Sequence, residues 1–128
     1  MIPHKELAET ILSQILQGRA SDGGLGYHCM MAWGAHAYRY HRESKEEKHL
    51  GALSFRVNGF LFRGIVQVEL TYSDTYRIRL KKRYSESVKQ TVEDVYCDEL
   101  TAQIDQLIEH PGDQGTYEQL CDQALYSL

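Results

Sequence analysis

Three segments with strictly alternating apolar and polar residues, 53–57, 66–72 and 76–81, constrain the fold more than any other feature of the sequence. A period of two indicates strands with one buried and one solvated face, which antiparallel sheets tolerate and parallel sheets mostly do not. The pattern therefore predicts an antiparallel meander. The inward positions are Leu53, Phe55, Val57, Val66, Val68, Leu70, Tyr72, Tyr76, Ile78 and Leu80.

The segment Ser73–Thr75 predicts the hairpin loop between two of these strands. If Tyr72 pairs with Tyr76, the apolar residues on both sides of the loop lie on the same face of the sheet. This register implies a loop of three residues. It gives the pairs Leu70 with Ile78, Val68 with Leu80 and, on the solvated face, an exposed ion pair of Glu69 with Arg79.

Helical periodicity precedes and follows the meander. Apolar residues recur every three or four positions from His4 to Gln17, and Gly18 offers an end to that helix. A second helix is predicted from about Glu93 to Glu109, with Tyr96 and Leu100 on the same face toward the sheet. The Pro and Gly residues of the segment 110–115 end it, and a final short helix is predicted after Thr116.

The region between the first helix and the meander is less regular. The glycine-rich segment 21–26 predicts a loop, and the aromatic stretch 27–41 predicts two short strands with a bend at Gly34. The charged run 42–49 is typical of a solvated loop or hairpin tip. The sequence thus predicts an α+β fold in one domain, residues 1–128, with an N-terminal helix, an antiparallel meander of about four to five strands, and one or two C-terminal helices packed on one sheet face.

Composition and charge restrict the class of protein. With 128 residues, 42% hydrophobic and 25% charged, the chain is typical of globular proteins and not of disordered ones. A net charge of -4 provides no overall attraction to phosphate, so nucleic-acid binding would need a local basic patch. Three widely spaced cysteines, no apparent signal peptide and no apolar run near 20 residues predict a cytoplasmic protein without membrane contact.

Two groups of residues raise the question of catalysis or metal binding. His28, Cys29, His36 and His41 fall within fourteen residues, but their spacing does not match compact zinc sites, and adjacent strand residues point to opposite faces. Cys97 stands among acidic residues, which disfavour a thiolate, and Cys121 fits a small core residue. No catalytic, cofactor-binding or metal-ligating residue is therefore assigned.

A row of basic residues is the strongest candidate for a binding surface. It lies on the predicted solvated face of the last meander strand and continues past the end of that strand. Such a face could follow a phosphate backbone, and tyrosines nearby, such as Tyr38, Tyr40 and Tyr84, could stack on bases. Basic residues on an exposed strand also serve solubility and prevent edge pairing. The row consists of Arg77, Arg79, Lys81, Lys82 and Arg83, with Arg56 and Arg63 predicted near it.

Four segments carry a resemblance to a known group of proteins. They are Leu53–Arg56, Val66–Leu70, Ser73–Leu80 with its Asp-Thr-Tyr hairpin, and Glu93–Leu100 with a Val-Tyr-x-Asp-x-Leu pattern. Together they resemble a family of small proteins found in bacteriophage and bacterial genomes, over residues 24–128. Trp33 and the segment 121–125 depart from that pattern. The resemblance implies a fold and a genomic setting, and it implies no activity or site.

These observations favour a non-catalytic accessory protein, of a phage or other mobile element, that binds a protein partner or a second copy of itself. The alternative is a nucleic-acid-binding module that uses the basic sheet face. A small metal-dependent hydrolase is a second alternative and rests on the histidines alone.

Overall fold

The computed structural model describes residues 4–21, 23–83 and 87–109. Three helices and five strands follow one another along this part of the chain. Among these residues, none of the helices has the length and apolar character needed to cross a bilayer. The elements are α1 (His4–Gln17), α2 (Gly26–Ala32), β1 (His36–His41), β2 (His49–Asn58), β3 (Arg63–Thr71), β4 (Tyr76–Lys81), β5 (Val88–Val95) and α3 (Leu100–Ile108).

The five strands form one antiparallel sheet in the order β1-β2-β3-β4-β5, which confirms the predicted α+β meander. The alternating apolar residues of β2, β3 and β4 point to one face of the sheet, where they pack in one cluster with the helices. Helix α1 contributes Leu7, Ile11 and Ile15, and α3 contributes Leu100 and Ile104. The helices therefore cover one face of the sheet and leave the other to polar side chains.

The prediction of two strands in the segment 27–41 is half wrong. The second half is β1, but the first half is the short helix α2. Cys29, Met30 and Trp33 are buried, and this spacing of three and four residues places them on one helix face, which the aromatic content of the segment obscured. The ring of Trp33 stacks at 6.5 Å on Phe55 of β2, so this turn of helix fixes the centre of the core.

The predicted register of the β3–β4 hairpin is wrong by two residues. Leu70 pairs with Tyr76, Val68 with Ile78, and Glu69 with Arg77. The loop lies one residue earlier than predicted, because the amide of Thr71 donates to the carbonyl of Thr75 and encloses residues 72–74, of which Asp74 adopts a left-handed backbone with φ of 63°. A shift of two keeps every side chain of the strands on its face, so the predicted inward residues of β2, β3 and β4 are correct, whereas Tyr72, which lies beyond the end of β3, is exposed.

The predicted second helix begins later than the sequence indicated. Residues 88–95 form strand β5, and α3 begins at Leu100. Tyr96 is therefore exposed and outside the helix, so the predicted pairing of Tyr96 with Leu100 on one helix face is wrong. Cys97 is exposed in the turn before α3. The predicted helix end at 110–115, the final short helix and Cys121 lie outside the described residues.

We expect the substitution Asp105→Ala to destabilise the fold. The indole N–H of Trp33 donates to Asp105 Oδ1 at 2.8 Å, and both residues are buried. Loss of a buried hydrogen bond to a charged acceptor costs about 2 kcal/mol. Urea unfolding should show this loss, whereas Gln106→Ala, which removes an exposed hydrogen bond on the same helix, should change the free energy of unfolding by less than about 0.5 kcal/mol. Equal effects of the two substitutions would contradict the assignment.

Candidate anion-binding cleft

A β-bulge in β1 determines which side chains reach the polar face of the sheet. His36 pairs with Arg56 and Arg39 pairs with Ser54, so two residues of β1 oppose one residue of β2. The bulge residue Ala37 has a left-handed backbone with φ of 56°. In a regular strand His36 and Arg39 would point to opposite faces, but the extra residue turns both toward the polar face.

The polar face contains a cleft of about 420 Å³ that crosses strands β1 to β4. Its basic lining residues are contributed by β1, β2 and the end of β4, and the described residues that line it include no carboxylate. No ion pair joins Arg39, Arg56 or Lys81 to a carboxylate among the described residues. The cationic side chains that line the cleft are Arg39, Arg56, Lys81 and Arg83.

Below the cleft, the polar face contains a fully buried carboxylate. Glu69 Oε1 accepts a hydrogen bond from Arg77 Nε at 2.5 Å and lies 3.1 Å from Arg79 Nε, which is not aligned for a hydrogen bond. Glu69 Oε2 accepts a hydrogen bond from the Gln67 amide at 2.7 Å. Two guanidinium groups therefore compensate one buried carboxylate, as buried charges require.

The same contacts connect the buried carboxylate to the cleft. Gln67 donates to Glu69 through its amide nitrogen, so its carbonyl oxygen points the other way and accepts a hydrogen bond from Lys81 Nζ at 2.9 Å. The chain Glu69–Gln67–Lys81 thus positions the Lys81 ammonium group on the lining of the cleft. Because the Gln67 amide is uncharged, this hydrogen bond does not neutralise the charge of Lys81.

The prediction that Glu69, Arg77 and Arg79 lie on a solvated face is wrong. Glu69 is 0% exposed and Arg77 is 8% exposed. The turn between β1 and β2 covers this end of the face: the Arg77 guanidinium donates to the carbonyl of Glu47, and Glu47 also contacts His49 at 3.2 Å. The sequence pattern showed a charged turn but not what it packs against.

The basic row predicted from the sequence is therefore divided into two parts. Arg77 and Arg79 are paired with Glu69, away from the cleft lining. Lys81 and Arg83 line the cleft, and Lys82 is exposed beside it. Arg39 and His41 join the cleft because of the bulge, which no local sequence signal marks. Tyr38 and Tyr40 lie on the opposite side of β1, along a groove with α1, so they are not beside the arginines as predicted.

The histidines and the cysteine considered for a metal site do not come together. Exposed His28 and buried Cys29 lie on α2, where the Cys29 thiol contacts the carbonyl of Gly24. His36 is exposed at the start of β1, and His41 contacts Ser54 Oγ at 2.8 Å. This arrangement of the described residues gives no support to the hydrolase alternative.

One other group has the composition of a metal site. Single ligand atoms of Glu47, His49 and Glu69 lie within 4.8 Å of one another. The charges of the two carboxylates are already balanced by two guanidinium groups. Arg77 and Arg79 both lie beside Glu69, and the charge of Arg79 also acts on Glu47. A divalent cation would therefore add two uncompensated charges to a largely buried cluster, which is costly. The residues fit an internal ion-pair network better than a metal centre.

The sequence matches no protein-family model, and it shows no significant similarity to a curated protein or to a solved structure.

We expect Glu69→Gln to be strongly destabilising, because it leaves two arginines without their buried counter-charge. Removing one member of a buried ion pair costs about 3–5 kcal/mol. Glu93→Gln is the matched control, since Glu93 lies 3.8 Å from the same Arg77 but is 56% exposed, and its loss should cost less than about 1 kcal/mol. Urea unfolding of both variants tests this difference, and similar midpoints would contradict it.

Proposed function

We propose that this chain is a non-catalytic accessory protein that binds single-stranded nucleic acid through the phosphates, in the basic cleft of its polar sheet face. The observation that carries the proposal is the lining of that cleft, where Arg39, Arg56 and Lys81 come together and form no ion pair with a carboxylate of the described residues. Phosphate is the anionic group that rows of Arg and Lys bind in nucleic acids.

The net charge of -4 does not oppose this proposal. A recess with walls of low dielectric constant focuses the field of the charges that line it, so the local potential can differ in sign from the whole molecule. Two carboxylates of the polar face lie outside the cleft lining: Glu69 is compensated by Arg77 and Arg79, and Glu47 acts on Lys81 and His41 from a distance without forming an ion pair with Lys81. The positive charges of Arg39, Arg56 and Lys81 therefore remain available to an incoming anion.

The shape of the site favours a single strand over a duplex. Proteins that read duplex DNA usually insert a projecting helix or a two-stranded ribbon into the major groove. Here the basic residues line a recess within the sheet, and a volume of about 420 Å³ lies within the range of pockets that hold small ligands. One or two nucleotides of a flexible strand suit a recess of this size.

Recognition in this cleft would depend on phosphate more than on base identity. The exposed tyrosines Tyr38 and Tyr40 line the groove with α1 and not the cleft, so the cleft lining itself offers no tyrosine for base stacking among the described residues. Contacts to phosphate fix a strand but carry little sequence information. Weak sequence preference suits an accessory protein of a phage or mobile element acting in the cytoplasm, the setting that the resemblance in residues 24–128 implies.

We expect an oligothymidylate to bind with an affinity that falls as salt is added. Each contacted phosphate on a single strand contributes a slope of about -0.7 to the logarithmic salt dependence. Arg56→Ala should weaken binding several-fold and make that slope shallower by about 0.7. Fluorescence anisotropy at several salt concentrations gives both quantities.

Arg19→Ala is the control for this experiment. Arg19 is exposed near the end of α1, behind the opposite face of the sheet, where its guanidinium donates to the carbonyl of Gly23. Its removal changes the net charge by the same amount as Arg56→Ala, and we expect it to leave the salt slope unchanged. If the two variants weaken binding equally, or if the wild-type protein shows no salt-sensitive binding, the proposal is wrong.

A further inference from the structure

His41 is the histidine in the cleft lining. It lies on β1, half-buried, and its Nε2 contacts the hydroxyl oxygen of Ser54 at 2.8 Å. Ser54 is 5% exposed and also lines the cleft. An imidazolium here must donate Nε2–H to Ser54 Oγ, which leaves the Ser54 hydroxyl proton free for another acceptor. Protonation of His41 would therefore add one charge and one hydrogen-bond donor to the site.

Charged groups from each neighbouring element act on His41. Arg39 on β1 and Lys81 on β4 disfavour its protonation, as does His49 on β2, whereas Glu47 in the turn favours it. Glu69 on β3 lies in the same row of the sheet, two strands away, with its charge held by Arg77 and Arg79. Burial, followed by the Lys81 charge, lowers the pKa of His41 below its usual value, which favours the neutral imidazole in the free protein.

We propose that binding of a phosphate strand in this cleft is coupled to the uptake of one proton by His41, so that the site binds more tightly as the pH falls. This inference rests on the proposed function and adds regulation to the same site. A phosphate among Arg39, Lys81 and His41 offsets the two cations that oppose protonation. It also supplies the acceptor that the Ser54 hydroxyl needs once His41 has become a donor.

The direction and size of the effect follow from linkage. An opposite charge within about 4–6 Å moves a pKa by about 1–3 units toward the charged form, here upward from the lowered value of His41 in the free protein. By linkage, the factor by which the strand raises the proton affinity of His41 is also the factor by which protonation raises the affinity for the strand. Between the pKa values of His41 in the free and the bound protein, the affinity for the strand changes by at most about tenfold per pH unit. We therefore expect binding to be at least about threefold tighter at pH 5.5 than at pH 8.

The test measures the dissociation constant of an oligothymidylate at constant ionic strength between pH 5.5 and pH 8. Neither its internal phosphodiesters nor thymine titrates in this range, so an oligomer without terminal phosphates leaves any pH dependence to the protein. We expect His41→Gln to lose the rise in affinity toward acid pH. His36→Gln is the matched control, because His36 lies on the same strand but outside the cleft lining, and it should keep the rise.

A second measurement holds even if His41→Gln does not fold. The imidazole resonances of the wild-type protein, followed by NMR against pH, should give a higher pKa for His41 with the oligonucleotide than without it. If the strand binds but the affinity does not change with pH, or the rise survives His41→Gln, or the His41 pKa does not move, the inference is overturned while the proposed function stands. Absence of salt-sensitive binding at every pH would overturn both.

Discussion

The buried carboxylate of Glu69 is the interaction on which the polar half of the structure depends. A fully buried negative charge is tolerated only with compensating charge and hydrogen bonds, and here Arg77, Arg79 and Gln67 provide them. The requirement orients three side chains on β3 and β4, and the Arg77 guanidinium in turn holds the carbonyl of Glu47 in the covering turn. One charge thereby connects the hairpin to the loop between β1 and β2.

The same interaction gives the polar face its asymmetry. At the end covered by the turn, the carboxylates of Glu47 and Glu69 balance the guanidinium groups of Arg77 and Arg79, while the described residues that line the cleft at the other end include cations and no carboxylate. Gln67 connects the two ends: its amide nitrogen donates to Glu69, and its carbonyl oxygen accepts a hydrogen bond from Lys81 and so positions that side chain. The Gln67 side chain is uncharged, so this connection adds no negative charge near the cleft. The proposed phosphate site is thus the part of the basic sheet face whose cations Arg39, Arg56 and Lys81 form no ion pair with the protein's own described carboxylates. It is where an external anion would gain most.

The sequence determined the helix α1, the meander and the inward residues of β2 to β4, because burial on one face imposes a period that can be read locally. It could not fix the hairpin register, since a shift of two residues preserves both faces. The bulge at Ala37 and the cover over Glu69 depend on contacts distant in sequence, and these place Arg39 and His41 in the cleft while removing Arg77 from it. The sequence pattern pointed to Lys81, Arg83 and Arg56 of the cleft lining, but it pointed to neither Arg39 nor His41.

The most direct test of the central claim is chemical-shift mapping of the backbone and arginine side-chain resonances during titration with a single-stranded oligonucleotide at low salt. Binding in the cleft predicts the largest changes at Arg39, Arg56 and Lys81 and little change at Arg19 on the opposite side of the sheet. Changes centred instead on the groove between α1 and β1, around Tyr38 and Tyr40, or no changes at all, would contradict it.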